Sequence, residues 1–409
     1  MRDSAASYYC GLDIGTSTVR CVVGIVDDKQ ETGSISIVGH GSADNKGMRK
    51  GNVVHIDDVV EAIVQAVTEA ERLSGIHLNH ATVNINGNHV MGMNSRGVIA
   101  ISAANRSIDE NDRLRVEEAA TIVKLPPNRE IIQVFAKNYR LDGQDNIKDP
   151  IGMQGVRLEV DTHIVTASTP NLRNLSLALE KSHLQASHFT VSSLAAAEAV
   201  LSRDQKEAGT VLIDIGAGTT NLVVLEDGEV QHVAIIPMGG THITNDLAIG
   251  LRTDLDVAEK VKIQHASLAK AKTSRVWVTA NGQKHDFDAT EIHTIVEARV
   301  EEIMDYIDKE LKKIQRSRKL PGGVVLTGGT AKLPGLAEFA REKLELAARI
   351  GKLQPIGGLV DSVQDPAYFT AVGLLILDML LMPMDHSTKG EPNAGVFGLI
   401  DGLLKRFRK

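Results

Sequence analysis

One short pattern occurs twice in this chain, and the repeat constrains the fold more than any other feature. The first copy is an apolar run over residues 8–14 that ends in Asp13-Ile14-Gly15. A Thr16-Ser17-Thr18 turn follows, then a second apolar run over 19–26. The second copy is an apolar run into Asp214-Ile215-Gly216, the turn Ala217-Gly218-Thr219-Thr220, and another apolar run over 221–225. Short apolar, β-branched runs bounded by Gly, Ser and Thr predict β-hairpins. The same hairpin in two similar contexts predicts two related halves. A turn rich in Gly and Thr presents backbone N–H groups that converge on an anion, and an Asp just before it can hold a hydrated Mg²⁺ by its charge. Two such turns facing each other would clamp the phosphates of a nucleotide; each alone is equally an ordinary hairpin with Asp as a turn residue.

The rest of the chain divides around these copies. A third strand is expected over 35–39. A helix follows, capped by Asp58 with Glu61 as its capping-box partner, carrying Val60, Ile63, Val64, Val67 and Ala70 on its apolar face and stopped by Gly75. Residues 86–162 change style. They read as a small α+β insert, with strands at 98–101 and 131–134, a charged helix over 107–123 broken by Pro126-Pro127, and a loop over 142–155. A strand at 163–167 and a helix over 172–183 resume the first unit. The expected division is 1–85 plus 163–195 for the first half, 196–235 plus 311–383 for the second, and 236–310 for a subdomain of the second half. A polar linker, 384–394, and a terminal segment, 395–409, follow.

Composition narrows the class. Asp plus Glu outnumber Lys plus Arg by 52 to 45 and aromatics are 3%, so a nucleic-acid gripping surface is not expected. Cys10 and Cys21 make no disulfide framework or multi-cysteine zinc site; they flank the first turn, can face each other across it, and read as reduced core thiols of a cytosolic protein. The start of the chain carries no signal-like segment. The apolar run 371–384 is too short to span a bilayer and contains Asp378, so it reads as a buried core helix.

Three further elements fit a nucleotide site. Pro237-Met238-Gly239-Gly240-Thr241 follows a strand. Glu259 and Lys262 share one face of a predicted helix. Gly328-Gly329-Thr330 ends a buried strand where a base or ribose can lie on bare backbone. No Walker-type run and no Gly-x-Gly-x-x-Gly opening a helix is present.

The order of these motifs resembles the actin-like ATPase superfamily. Gly47-Met-Arg-Lys-Gly51, the 86–162 insert with its Pro150-Ile-Gly-Met-Gln-Gly-Val-Arg-Leu-Glu159 stretch, and the C-terminal segment resemble the FtsA cell-division family within it. The resemblance implies an α/β, actin-like (ribonuclease-H-like) duplicated fold with an α+β insert subdomain. It implies phosphate contacts at Gly15, Thr16, Ser17, Gly216, Gly218, Thr219, Gly239 and Gly240. Asp13 and Asp214 would lie near a water-mediated Mg²⁺, and Glu259, Lys262, Gly328, Gly329 and Lys332 would line the adenosine of ATP. It also implies a head-to-tail filament, other divisome partners, and the C-terminal peptide of FtsZ bound near 236–310, at the cytoplasmic face of the inner membrane and the division septum. The cations Lys309, Lys312, Lys313 and Arg316 could meet an acidic peptide or form a solvated face. No general base stands out: Glu198 lies near the expected crossover between halves, and slow ATP hydrolysis at most is expected. The rival is a sugar or acetate kinase of the same superfamily, which needs a second substrate pocket with a catalytic Asp. A chaperone-like ATPase would need a peptide-binding domain for which the chain leaves no room.

The terminal segment supplies its own argument. Val396, Leu399, Ile400, Leu403, Leu404 and Phe407 fall on one helical face, and Lys405, Arg406, Arg408 and Lys409 outnumber Asp401. That is the pattern of an interfacial helix on anionic lipid. The alternative is a helix docked on its own protein; the polar linker before it and the basic cluster favour the membrane. One copy would bind reversibly, and an array would hold by avidity.

Overall fold

The computed structural model describes residues 8–26, 35–102, 106–269, 274–280 and 282–381. Expectations on residues 384–409 therefore lie outside the described residues. The chain begins with β1 (Tyr8–Ile14), β2 (Thr18–Val26) and β3 (Ile35–Asp44), a small hairpin of β4 (Met48–Arg49) and β5 (Asn52–Val53), helix α1 (Ile56–Ser74) and β6 (His80–Ile85). The insert contributes β7 (Met91–Ala100), α2 (Glu110–Thr121), β8 (Arg129–Leu141), β9 (Gln144–Ile147) and β10 (Arg157–Ser168). Then come α3 (Thr169–Lys181), β11 (Gln185–Val191), α4 (Ser192–Val200) and α5 (Arg203–Ala208). The second half holds β12 (Thr210–Ile215), β13 (Thr220–Glu226), β14 (Glu229–Ile236), α6 (Gly240–Gly250), α7 (Leu255–His265), β15 (Arg275–Ala280), β16 (Gln283–Asp288) and α8 (Ala289–Lys313). It continues with β17 (Gly323–Thr327), α9 (Leu336–Leu344) and β18 (Ala348–Ile350), and the described chain ends with β19 (Gly357–Gly358), which returns to pair with β3, and α10 (Phe369–Leu381).

The duplication is structural. The first sheet runs β11-β6-β1-β2-β3-β19 and the second β14-β13-β12-β17-β18. In each, an antiparallel three-strand meander has a parallel strand added beside its first member: β6 beside β1, β17 beside β12. Register repeats too, since Asp13 opposes Arg20 and Asp214 opposes Asn221 one step before each turn.

Two helices join the halves. α4 packs on β12 and β13, and α10 packs on α4, β1, β2 and β6. Residues of both sheets (Tyr9, Val22, Leu212, Val223) therefore share one core with Leu194, Val372 and Leu375. The expected division places α10 in the second half, but its packing is against the first. The expected burial of this apolar run holds for α10, and Asp378 has a role inside it. Fully buried, Asp378 accepts hydrogen bonds from the Cys10 amide at 3.0 Å and the Thr82 hydroxyl at 2.7 Å. Cys10 and Cys21 are buried free thiols with sulfurs 3.6 Å apart.

Several local expectations shift. α1 starts at Ile56 with His55 as N-cap and no side-chain cap, so Asp58 is a first-turn acid instead. Its buried face is Val59, Ala62, Ile63, Ala66, Val67 and Ala70, while Val64 is exposed. The alanines face in because the helix lies close on β3: a Cβ on Gly41 would sit 2.0 Å from the Ala66 carbonyl oxygen. α2 begins at Glu110 behind an Asp109 capping box, three residues later than expected. The loop over 142–155 contains β9.

The insert is an antiparallel sheet, β7-β10-β8-β9, with α2 against β7 and β10. The strand expected to resume the first half at 163–167 is the second part of β10 and pairs inside this sheet, because β10 runs unbroken to Ser168. The insert meets β14 through His163. Nε2 of His163 accepts from the Val233 amide at 3.1 Å and Nδ1 lies 2.8 Å from Asn94 Oδ1. Burial, then His232 and Lys137, hold this imidazole down to about 3, so it stays neutral.

Candidate functional site

The two turns face each other across a cleft of about 850 Å³ between the halves. Each closes identically: Gly15 N–H donates to Thr18 O at 3.1 Å, and Gly216 N–H to Thr219 O at 2.9 Å. The tips touch. A Cβ on Gly218 would lie 2.7 Å from Thr16 Oγ1, and that hydroxyl also accepts from Gly51 N–H at 3.2 Å. Gly15, Thr16, Ser17, Gly216 and Thr219 line the cleft. Gly218 is turned instead onto Thr16.

Asp13 and Asp214 stand side by side in function, one per half. Asn84 positions Asp13: its amide donates to Asp13 Oδ1 at 2.6 Å while its own Oδ1 accepts from Ile14 N–H at 2.7 Å. Asn221 donates to Asp214 Oδ2 at 3.3 Å. Burial raises Asp13 to about 7, opposed by Arg20 and reinforced by Asp214. Burial also raises Asp214 to about 6, opposed by Asn221, Arg20 and Thr370. Two buried carboxylates without an ion-pair partner suit a nearby dication, which would favour their charged forms. Among the described residues no cluster of three or more His, Cys, Asp or Glu is placed to ligate a metal directly, so a hydrated ion fits better than a caged one. Asn221 Oδ1 is buried without a hydrogen-bond partner and offers a further acceptor beside Asp214.

The glycine pair at the start of α6 is placed differently from expectation. Gly240 lines the cleft, but Gly240 N–H and Thr241 N–H already donate to the Gly216 and Ala217 carbonyls at 2.9 and 2.8 Å. Gly239 N–H donates to His242 Nδ1 at 3.2 Å. The Gly240 and Thr241 amides buttress the second turn from behind and the Gly239 amide is taken by His242, so the start of α6 is not a free anion site.

Beside the start of α6, Glu259 and Lys262 of α7 pair at 2.6 Å, Thr244 bonds both, and Lys262 Nζ donates to Gly240 O at 3.3 Å. Lys332 pairs with Asp365 at 2.8 Å. Gly328 has φ of +87°, and a Cβ there would lie 2.4 Å from Asp214 Oδ1, so only glycine fits. Gly329 is open: the nearest atom to its Cβ position is Ala367 Cβ at 4.0 Å. Sequence reasoning missed Arg20, Asn45, Lys46, Asn84 and Asn221. No motif marks them, although β2 and β13 place Arg20 and Asn221 opposite the two aspartates.

Other expected residues lie elsewhere. Glu198 pairs with Lys206 at 2.8 Å on α4 and does not line the cleft, so it is not poised to activate a water there. The cationic end of α8 is neutralised locally. Lys312 pairs with Asp308, Lys313 with Glu310 and Arg316 with Glu226, at 2.6, 2.6 and 2.7 Å, and Lys309 lies over the Tyr306 ring.

Comparison with known proteins follows the same division. Residues 211–373 match the family "Cell division protein FtsA", and residues 87–166 match "SHS2 domain inserted in FTSA". The chain is 40% identical to the cell division protein FtsA of Bacillus subtilis over 90% of this chain and 82% of the relative. It is 37% identical to that of Neisseria meningitidis over 98% of this chain and 97% of the relative. Among solved structures it is similar to a PilM–PilN type IV pilus biogenesis complex, with a TM-score of 0.63 and 17% identity over 90% of this chain and 97% of that one. It is also similar to Spiroplasma citri MreB5 bound to ADP, with a TM-score of 0.54 and 12% identity over 91% and 96% of the two chains. These two likenesses show a common actin-like fold.

Proposed function

The chain belongs to the FtsA family of cell-division proteins, and we propose that it is an ATP-binding, self-associating tether between the cytoplasmic membrane and the FtsZ ring. The observation that carries the nucleotide part is the pair of identical turns closing on one cleft, each preceded by a buried aspartate. Gly15, Thr16 and Ser17 from one side and Gly216 and Thr219 from the other would hold the phosphates through backbone amides and hydroxyls. Gly218 would set how closely the turns approach. Asp13 and Asp214 would orient waters around Mg²⁺, held in place by Asn84 and Asn221. The bound ion would supply charge neutralisation at the phosphates. Glu259, Lys262, Gly328, Gly329 and Lys332 would flank the adenosine, and Gly239 and Gly240 would support the second turn.

Binding across the cleft would favour one closed arrangement of the halves, and self-association would follow from that arrangement. ATP turnover would be slow, because positioning a water is a separate requirement from holding the nucleotide, and Glu198, the candidate base read from the sequence, pairs with Lys206 outside the cleft. The membrane end would be the amphipathic segment over 395–409, whose apolar face and basic cluster suit an anionic lipid surface. The FtsZ peptide would dock on the subdomain over 236–310, which exposes Ile249, Leu255 and Trp277, rather than on the self-paired cations of α8. The test is flotation with anionic liposomes, with and without Mg·ATP and FtsZ. The full chain should float and carry FtsZ with it, and Mg·ATP should increase the fraction bound. A chain that leaves FtsZ unbound with or without nucleotide would overturn the tether reading.

A further inference from the structure

Four cations line the cleft: Arg20, Lys46, Lys262 and Lys332. Three are committed within the protein. Lys262 is held by Glu259 and Lys332 by Asp365, at 2.6 and 2.8 Å. The Arg20 guanidinium lies over the Tyr368 ring, 5.4 Å from its centroid, and faces the buried aspartates. Lys46 alone of the four makes no ion pair or ring contact among the described residues. Asp44, two residues before it, lines the same cleft without pairing to it.

The backbone that carries Lys46 is anchored to the first turn. Asn45 is 6% exposed and makes three hydrogen bonds. Its N–H donates to Ser17 O at 2.9 Å, its side-chain amide donates to Gly15 O at 2.9 Å, and its Oδ1 accepts from Gly47 N–H at 3.0 Å. A solvated surface lysine needs no such mooring. Here a buried asparagine ties the next residue to both ends of the turn over 15–17.

We propose that Lys46 is the cation that meets the terminal phosphate of the bound nucleotide, with Asn45 as its positioning residue. This rests on the reading of the cleft as a nucleotide site. The assignment to the terminal phosphate follows from place and charge. Lys46 is moored to the first-half turn through Asn45, whereas Lys262 is held by Glu259, Thr244 and the Gly240 carbonyl and Lys332 by Asp365, so neither is free to meet a phosphate. An ATP terminal phosphate would arrive beside two carboxylates, where a compact ammonium with three donors offsets the added negative charge. ADP, one phosphate shorter, would leave Lys46 in solvent.

The experiment measures the affinity of the full chain for Mg·ATP, Mg·ADP and AMP by calorimetry. In Lys46→Gln, ATP affinity should fall about 10- to 100-fold and ADP affinity less than about threefold, as for loss of one charge-assisted hydrogen bond. Lys46→Arg should restore most of the ATP affinity. Asn45→Ala should reproduce the ATP-selective loss with Lys46 still present; because Asn45 is buried, its melting temperature is measured alongside. The exposed Lys46 variants give the primary result. Equal losses for ATP and ADP, or no loss, would overturn the assignment while leaving the nucleotide reading intact. Failure of the unaltered chain to bind any of the three would overturn both.

Discussion

Replacing Asp13 by Asn tests whether the cleft is built for a dication. Burial raises Asp13 from 3.8 to about 7. A carboxyl whose folded value exceeds its unfolded value contributes stability that is fully present below the unfolded value and is lost as pH rises through the folded one. The ligand-free protein should therefore pay an increasing charge-burial cost between pH 4 and 7. A shift of three units corresponds to about 4 kcal/mol. Asn keeps the oxygen that accepts from Asn84 and removes the titration. The variant should be more stable than the parent by about 1.5 kcal/mol at pH 5, rising to about 4 kcal/mol above pH 7. That is a rise in melting temperature on the order of 5–10 °C at the upper plateau. The assay is thermal unfolding of parent and variant from pH 5 to 8.5, without ligand and then with Mg·ATP. The ligand should recover the difference in the parent, because a nearby dication favours the charged carboxylate, and should do far less for the variant. A stability difference that does not change with pH, or a variant less stable than the parent at pH 8, would refute the reasoning.

Adjacent glycines should behave oppositely. Gly328→Ala should destabilise by about 3 kcal/mol or more in chemical denaturation, since the φ of +87° and the Asp214 contact both forbid a Cβ. Gly329→Trp, in open space, should fold with little change in unfolding yet lose nucleotide binding in a fluorescent-nucleotide titration; unchanged affinity would remove Gly329 from the site. In the terminal segment, Leu403→Glu or Phe407→Glu should abolish flotation with anionic liposomes, while reversing Lys405 and Arg406 should cost about 1 kcal/mol per charge and only at low salt. A chain lacking 395–409 that floats as well as the full length would show that the anchor lies elsewhere.

Much of this was legible because it depends on local pattern. The paired Asp-Ile-Gly turns, the α8 stripe of Val296, Val300, Ile303, Met304, Ile307 and Leu311, and the Glu259–Lys262 face each follow from a turn rule or a helical period, and the structure bears each out. The insert announced itself by a change of style, although its last strand was assigned one element too early. What the sequence could not contain is which groups meet when distant segments pack. The first amides of α6 look free on a Gly-Gly signature, but packing aims those of Gly240 and Thr241 at the carbonyls of Gly216 and Ala217. The α1 face is read from hydropathy as Val60, Ile63, Val64, Val67 and Ala70; Ile63, Val67 and Ala70 are buried, but close approach to β3 also turns Ala62 and Ala66 inward and leaves Val64 exposed. Asn84, Asn45 and Lys46 carry no motif, because their role comes only from lying beside a turn far away in the chain. A hydrophobic period fixes which side of an element is buried and a turn rule fixes where the chain reverses. The distance and angle at which two elements then settle are set by side-chain volumes contributed from both, and no single segment encodes them.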